Sequence, residues 1–179
     1  MWYIGIIVVA NIIIILANGL FSQMPLWQSL VFPPVATLTV ILVDGIGAFI
    51  SRRLPEKYFE ASKTKAPSER ERKLYRKLGI KRWKNKVPEL GGFTSFHKDH
   101  LESATDKSYL AKFLLEANYG IVCHAVNVMT GFLIIFISFC GPLTVTLPVA
   151  AVNAFLSALP IFILRYNNAA LYRAYKRAK

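Results

Sequence analysis

Residues 2–21 of this 179-residue chain read WYIGIIVVANIIIILANGLF and contain no charged side chain. A helix needs roughly 20 apolar residues to cross a hydrocarbon core about 30 Å thick, and this run is long enough. It lacks the positively charged start of a secretory signal peptide, and it exceeds the usual apolar length of about 7–15 residues. We therefore expect it to be a retained membrane anchor.

Three further apolar runs satisfy the same length criterion. They cover residues 30–50, 119–139 and 143–164. Only Cys140-Gly141-Pro142 separates the last two, which predicts a tight helical hairpin. The expected fold is an all-α membrane protein with four transmembrane helices that form a single integral membrane domain over residues 1–179.

The basic residues are concentrated outside these four runs. The chain has 22 Lys and Arg against 10 Asp and Glu, a formal net charge of +12, although 54% of its residues are hydrophobic. Seventeen of the 22 cations lie in residues 52–112 and the other five in the tail, residues 165–179. By the positive-inside rule, both regions and the N-terminus are expected on the cytoplasmic side of the cell membrane. An even number of spans places all three on one side.

Residues 51–118 form the predicted cytoplasmic segment, which we expect to lie against the membrane as short helices. Ser68 with Glu71 three residues later fits a capping box, and Gly79 is a suitable stop for the helix. On this helix Arg72 and Arg76 are like charges one turn apart, which is a repulsive pair.

The end of the segment predicts a second helix start. Residues 103–106 are expected to cap a helix that begins near Lys107 and continues through Glu116 into the third span. Before it, residues 81–86 read KRWKNK, a dense cluster of cations around Trp83. Such clusters favour anionic lipid headgroups. No nucleic-acid-binding motif is present, so we expect membrane lipids and no nucleic acid as partners, while the oligomeric state stays open.

Cysteine and histidine are too scarce for most metal sites. Cys123 and Cys140 both fall in apolar runs and are expected to be buried thiols. Three histidines are too few for the His-rich di-iron sites of membrane desaturases and hydroxylases. His97 and His100 have an HxxH spacing, which alone is a weak signal, so no metal site is predicted.

One face of the third predicted transmembrane helix carries small and polar side chains. At 100° per residue, six side chains fall within about 100° of arc. They are Glu116, Gly120, Cys123, His124, Asn127 and Gly131. Helix packing in lipid uses such faces, and this is our interpretation of Gly120, Asn127 and Gly131.

For Glu116 and His124 we favour acid–base chemistry, because ionisable groups inside a membrane are costly and often functional. The two residues are eight positions apart, about 12 Å along a helix, and do not touch. Both could reach one substrate, or be bridged by Asn153, Ser157 or His100. For Asp44, near the end of the second span, a functional and a structural role are equally compatible with the sequence.

Several short motifs follow one another in a specific order. They are residues 54–59 (LPEKYF), residues 81–86 around Trp83, His100-Leu101, Glu116 with His124, and Arg165-Tyr166-Asn167. With these motifs the chain resembles the glycosyl-4,4′-diaponeurosporenoate acyltransferase family, small membrane enzymes that acylate a glycosylated carotenoid. The resemblance runs from about Leu54 to the C-terminus. It departs from the family pattern at Asn118-Tyr119-Gly120 and at Asn168-Ala169-Ala170.

The resemblance implies an O-acyltransferase that moves a fatty acyl group from a thioester donor to a hydroxyl of a glycosylated carotenoid or another glycolipid. Acyl-CoA or acyl-carrier protein would be the co-substrate, and no further cofactor is expected. The residues carried over by position form two sets. The catalytic set is His124, His100 and Glu116, and the substrate-binding set is Arg165, Tyr166, Asn167 and Trp83. Lys84, from the basic cluster of residues 81–86, is added to the substrate-binding set because the cluster would attract an anionic donor.

Within these sets, His124 or His100 would be the base and Glu116 would orient it. Arg165 would bind the donor's phosphate or its thioester carbonyl, and an apolar groove between the spans would hold the acyl tail. Two alternatives remain open. One is a non-catalytic helical subunit or lipid-binding partner, and the other is a metal-dependent lipid hydrolase using His97, His100, His124 and Glu116.

Overall fold

The computed structural model describes residues 2–87, 103 and 105–178, and these contain helices and turns but no strand. The α-helices of the described part are α1 (Trp2–Phe21), α2 (Leu26–Arg52), α3 (Glu69–Lys77), α4 (Ile80–Trp83), α5 (Lys107–Thr130) and α6 (Leu143–Arg177). Short 3₁₀ turns occupy Glu56–Tyr58, Ala61–Lys63, Lys84–Lys86, Gly131–Phe136 and Ser138–Cys140. Four helices, α1, α2, α5 and α6, are long and apolar enough to cross a membrane. The predicted all-α membrane fold with four transmembrane helices is confirmed.

Three helix ends differ from the apolar runs. Helix α2 begins at Leu26 rather than near residue 30, because the Pro25 carbonyl accepts the N–H groups of the first turn. The third transmembrane helix is α-helical only to Thr130, and Gly131–Phe136 continues it as a 3₁₀ helix. Helix α6 does not end near residue 164 but continues to Arg177, through most of the predicted tail. No Gly or Pro follows residue 160, and the alanine-rich sequence there favours helix.

The chain divides into two compact units. Unit 1 comprises Met1–Ile50 and His124–Ala158, and unit 2 comprises Ser51–Cys123 and Leu159–Lys179. The division crosses α2 after Ile50, α5 after Cys123 and α6 after Ala158. Glu116 and His124 therefore belong to different units.

Unit 1 is held together by apolar packing with a few polar links between helices. Asn11 on α1 donates to the Thr37 hydroxyl of α2 at 3.0 Å, and Asn18 donates to the Thr144 carbonyl at 3.2 Å. Amide side chains are effective links between helices in lipid, where no water competes. The buried core lies around them and includes Ile14, Ala36, Val40, Ile134, Cys140, Val145, Val149 and Ala150. Large apolar side chains on the outside, such as Leu20 at 73% exposure, suit contact with lipid.

Unit 2 contains the predicted capping box and helix stop. The Ser68 side chain accepts the N–H of Glu71, and the Glu71 carboxylate accepts the N–H of Ser68. Gly79 ends this region with φ +61°, in the left-handed region that favours glycine. The start of α5 is also confirmed, since Asp106 accepts the N–H groups of Ser108 and Tyr109. Both local signals depend only on nearby residues, so the sequence predicts them well.

The segment between α2 and α5 shares its core with the longer helices. Its buried Ala61 packs against Leu110, Phe113 and Leu114 of α5 and Leu171 of α6. Burial of Ala61 therefore depends on side chains of α5 and α6. Extension of α6 beyond residue 164 provides one wall of the shared core.

Candidate functional site

An ion pair joins α3 to α6 in unit 2. Arg165 Nη2 lies 2.7 Å from Glu71 Oε1 and 3.0 Å from Oε2, and Arg165 Nε donates to Oε1 at 3.1 Å. Arg165 Nη1 also donates to the Lys65 carbonyl at 2.9 Å. Multiple hydrogen bonds between a guanidinium and a carboxylate fix geometry as well as charge. The guanidinium predicted to bind the donor thus holds α3 against α6.

Glu71 is the centre of this contact. It accepts hydrogen bonds from the Ser68 N–H at 2.8 Å and the Tyr75 hydroxyl at 3.1 Å in addition to those from Arg165. Burial alone would raise the pKa of Glu71, but these hydrogen bonds and the charge of Arg165 outweigh burial and lower the pKa from 4.5 to about 2. The stability that this shift contributes is fully present above pH 4.5 and is lost as the pH falls toward 2. Glu71 therefore stays ionised at physiological pH.

Three of the five predicted substrate-binding residues come together at α6. They are Tyr166 and Asn167 of α6 and Lys84. Lys84 Nζ donates to Asn167 Oδ1 at 2.9 Å and lies 5.3 Å from the centroid of the Tyr166 ring. Another of the five, Trp83, donates from Nε1 to the Leu78 carbonyl at 2.9 Å and so closes the turn between α3 and α4. Lys84, Tyr166 and Asn167 form one cluster, whereas the indole N–H of Trp83 is used within the fold.

Tyr166 also lines a cleft of about 490 Å³ between α3 and α6. Tyr75, only 5% exposed, contributes a second aromatic ring. It meets the Tyr166 ring edge-on, with the two ring centroids 6.3 Å apart. Ala169 and Ala170 lie along the same stretch of α6, where short side chains leave space. We refer to this space as the α3–α6 cleft.

Cations line the α3–α6 cleft from both helices. Arg72, Lys73 and Arg76 belong to α3, and Arg173 belongs to α6. One carboxylate, Glu69, lines it as well. The four cations are exposed, and within the described residues none of them forms an ion pair. The cleft is therefore a basic recess with a partly aromatic lining.

Sequence reasoning did not assign these four cations, although a signal was present. Arg72 and Arg76 are a repulsive pair, and such pairs cost helix stability unless an anion compensates. The cleft residues of α6 follow the spacing i, i+3, i+4, i+7 from Tyr166 to Arg173, which marks one helix face. The sequence does not indicate this face of α6 when the fourth transmembrane helix is taken to end near residue 164, because all four residues lie beyond that end.

Glu116 is paired with a cation on another helix. Its Oε2 lies 2.7 Å from Arg52 Nη2, and the side chain of Glu116 is 16% exposed. The Arg52 guanidinium also lies 5.2 Å from the centroid of the Tyr119 ring. The Tyr119 hydroxyl donates to the Leu54 carbonyl at 2.6 Å. The predicted catalytic carboxylate is thus held in a defined position by α2.

Asn118 links three parts of unit 2. Its amide donates to the Phe59 carbonyl at 2.8 Å and to the Thr64 hydroxyl at 2.9 Å. Its oxygen accepts from the Asn168 amide at 3.3 Å, and Asn168 is fully buried. Next to it, Tyr119 stacks on Phe59 with ring centroids 4.0 Å apart. Asn118 and Tyr119 are among the positions at which the chain departs from the family pattern, and here they anchor residues 54–64.

In unit 1, polar groups meet where α2, α5 and α6 come together. Asn153 donates to Asp44 Oδ1 at 3.4 Å and to the Asn127 carbonyl at 3.5 Å. A Cβ added at Gly131 would overlap the Asn153 amide, so glycine allows this close approach. Asn127 and Gly131 thus lie at helix contacts, as the packing interpretation predicts. Asp44 has an amide partner.

The remaining predicted residues are placed as follows. His124 is half-buried on α5 in unit 1, and Ser157 is buried on α6. His97 and His100 lie outside the described residues. Among the described residues, no three His, Cys, Asp or Glu side chains are arranged to hold a metal ion. The two cysteines are not joined by a disulfide, and Cys140 is buried while Cys123 is half-buried.

A cavity in unit 1 is bounded by Asn11, Thr37 and Asn153 together with apolar side chains. Its volume is about 30 Å³, enough for one or two water molecules. An acyl chain does not fit there. This cavity is therefore not the apolar groove predicted for the acyl tail.

Comparison with known protein families identifies a family for this chain. A model of the glycosyl-4,4′-diaponeurosporenoate acyltransferase family matches residues 55–177. The matched part contains Glu116, His124, the α3–α6 cleft and the Arg165–Glu71 pair, but not Arg52. Searches of the curated proteins and of the solved structures each find no match.

Proposed function

Because the chain belongs to the glycosyl-4,4′-diaponeurosporenoate acyltransferase family, we propose that it transfers a fatty acyl group from a thioester to a sugar hydroxyl of a membrane lipid. The acceptor is a glycosylated carotenoid or another glycolipid. The single observation that carries this proposal is the family match over residues 55–177. Four helices long and apolar enough to cross a membrane support a lipid acceptor.

The reaction needs a base for the sugar hydroxyl. As the base takes the hydroxyl proton, the sugar oxygen bonds to the thioester carbonyl carbon and a tetrahedral oxyanion forms. Collapse of this intermediate breaks the carbon–sulfur bond, and the thiolate leaves and receives the proton. A neutral imidazole suits both proton transfers near neutral pH. His124 is the proposed base, and His100 is the second choice.

Glu116 has a changed role in this proposal. The guanidinium of Arg52 occupies one of its oxygens at 2.7 Å. A carboxylate has about four acceptor positions and can accept several hydrogen bonds at once. We assign Glu116 to accepting a hydroxyl of the acceptor sugar rather than to orienting an imidazole. A cation–carboxylate pair is well suited to a polyhydroxylated ligand because it offers both donors and acceptors.

No groove for the acyl tail is required within the protein. Donor and acceptor tails are apolar, and much of the surface of α1 and α2 consists of exposed aliphatic side chains such as Leu20 and Leu42. Lipid hydrocarbon against these surfaces accommodates an acyl chain without a separate cavity.

The test is lipid mass spectrometry of cells with and without the protein. A glycolipid whose mass increases by one fatty acyl group, only when the protein is present, identifies reaction and acceptor together. The same membranes supplied with labelled thioester should transfer the label to that lipid. An unchanged lipid profile, with the protein present at normal level in the membrane, would contradict the proposal.

We also propose that the N-terminus, residues 51–118 and the C-terminal residues lie on the cytoplasmic side of the cell membrane. The support is the distribution of Lys and Arg. The test uses a chain with Cys123→Ser and Cys140→Ser and one new cysteine, either Ser22→Cys in the α1–α2 loop or Lys81→Cys in the basic cluster. A membrane-impermeant thiol reagent added to whole cells should label the first site and not the second. The reverse pattern would invert the topology.

A non-catalytic helical subunit is the second candidate function. One observation favours it, because Glu116 pairs with Arg52 of another helix, as expected of a purely structural carboxylate. The labelled-thioester assay on the purified chain separates the two candidates. A subunit without catalytic function transfers no label on its own but does so when its partner is added.

A further inference from the structure

The positive charge of the side chains that line the α3–α6 cleft exceeds the negative charge in the same lining. Four cations, Arg72, Lys73, Arg76 and Arg173, line it against one carboxylate, Glu69. The second carboxylate of α3, Glu71, does not compensate them, because Arg165 binds both of its oxygens. Arg72 and Arg76 are one turn apart on α3, and like charges at this spacing are unfavourable without an anion.

The cleft is also kept open by the fold. The Arg165–Glu71 pair fixes α3 beside α6, and the Tyr75 hydroxyl donates to the same carboxylate. Alanines at 169 and 170 leave room on the α6 side. A volume of about 490 Å³ lies within the range of roughly 300–1,000 Å³ that small-molecule sites occupy.

We propose that the α3–α6 cleft binds the phosphate groups of a nucleotide-bearing acyl thioester, an acyl-CoA. This inference rests on the proposed function, whose thioester donor it identifies. Coenzyme A has a 3′-phosphate on the ribose and a diphosphate at the 5′ position, and arginine pairs with phosphate through two parallel hydrogen bonds. Four cations on two facing helices match several phosphates on one ligand. The Tyr166 ring in the lining offers a surface for the adenine base.

Two other anions are less suited to this recess. A lipid headgroup usually presents one phosphate, which one or two cations satisfy, and a flat basic surface is enough to bind it. An acyl-carrier protein presents carboxylates on a convex surface. Such a surface suits a broad basic patch on its partner better than a cleft lined by the buried Tyr75. Both serve as comparison ligands in the test.

The test measures binding without turnover. The full chain in detergent is titrated with CoA, with dephospho-CoA that lacks the 3′-phosphate, with holo acyl-carrier protein, and with phosphatidylglycerol in mixed micelles. The wild type should bind CoA most tightly, bind dephospho-CoA about tenfold more weakly, and lose affinity as salt increases. Tighter binding of the carrier protein or the lipid, with no binding of CoA, would overturn the proposal.

Matched variants locate the site. Arg72→Gln with Arg76→Gln removes two cleft cations, and Arg70→Gln with Lys77→Gln removes the same charge from exposed positions of the same region outside the cleft. The first pair should weaken CoA binding by about tenfold or more, and the control pair by less than about twofold. Arg173→Gln changes α6 and leaves the sequence of α3 intact. It should also weaken CoA binding.

Binding and transfer are read separately. If cleft variants transfer acyl groups with an unchanged KM for acyl-CoA, the donor-site proposal is wrong while the proposed function stands. If CoA binds and the cleft variants lose binding, yet no lipid gains an acyl group, the cleft assignment stands and the acyltransferase proposal fails.

Discussion

His124→Gln should lower acyl transfer by about 10²–10⁴-fold while the protein still accumulates in the membrane. A positioned base contributes an effect of this size, because without it the sugar hydroxyl must lose its proton to water. Glutamine keeps the approximate size and the hydrogen-bonding ability of histidine. Because position 124 of α5 is half-buried, the contacts of the helix at this position should persist. The measurement is transfer of labelled acyl groups in membranes with matched protein levels.

Of the other two histidines, His97 provides the control and His100 provides a second test. His97→Gln changes a neighbouring histidine in the same sequence region as His100 and should leave transfer within about twofold, because no role in transfer is assigned to it. His100→Gln tests the second choice of base. If His124→Gln and His100→Gln both retain full transfer, then neither histidine is the base and the proposed chemistry is wrong.

The sequence predicted those parts of the fold that depend on local pattern. Four apolar runs gave four transmembrane helices, and Ser68 with Glu71 gave a capping box. Asp106 likewise marked the start of α5. Each of these features arises within one helix or one turn, so neighbouring residues are sufficient to specify it.

Pairing between distant residues was not predictable in the same way. Arg165 is 94 residues from Glu71, and Arg52 is 64 residues from Glu116. Which carboxylate meets which guanidinium depends on how the helices pack, and one chain offers many combinations. The same limit hid the α3–α6 cleft, since its cations come from two helices and one of those helices was expected to end too early.

The departures from the family pattern have a structural explanation. The family pattern marks Asn118 and Tyr119 only as unexpected residues, but in the fold they donate hydrogen bonds to the carbonyls of Phe59 and Leu54. These contacts hold the 3₁₀ turns near the start of the matched family region. A change of residue type here alters how residues 54–64 are anchored, without touching Arg165, Tyr166 or Asn167. We therefore attribute the departures at Asn118 and Tyr119 to anchoring rather than to the reaction.

Asn118→Leu should destabilise unit 2 by about 3 kcal/mol or more. Leucine has nearly the same size but leaves three groups without their partner, namely the Phe59 carbonyl, the Thr64 hydroxyl and the Asn168 amide. Phe59 is 5% exposed, Thr64 6% and Asn168 0%, so water does not readily replace the lost hydrogen bonds. An unsatisfied buried polar group costs about 1–3 kcal/mol, and three such groups give the expected loss. Denaturant unfolding in detergent, together with hydrogen exchange of residues 54–64, measures it.

Two variants make this prediction specific. Asn85→Leu is the matched control, because Asn85 is exposed in the basic cluster, and it should change the free energy of unfolding by less than about 0.5 kcal/mol. Thr64→Val removes only one of the three partners and should cost less than Asn118→Leu. If Asn118→Leu is as mild as Asn85→Leu, and exchange at residues 54–64 is unchanged, Asn118 does not anchor this segment. If hydrogen exchange accelerates at residues 54–64 while the amides of α5 stay protected, then the three hydrogen bonds anchor residues 54–64 to α5. Helix α5 would then remain folded without this segment.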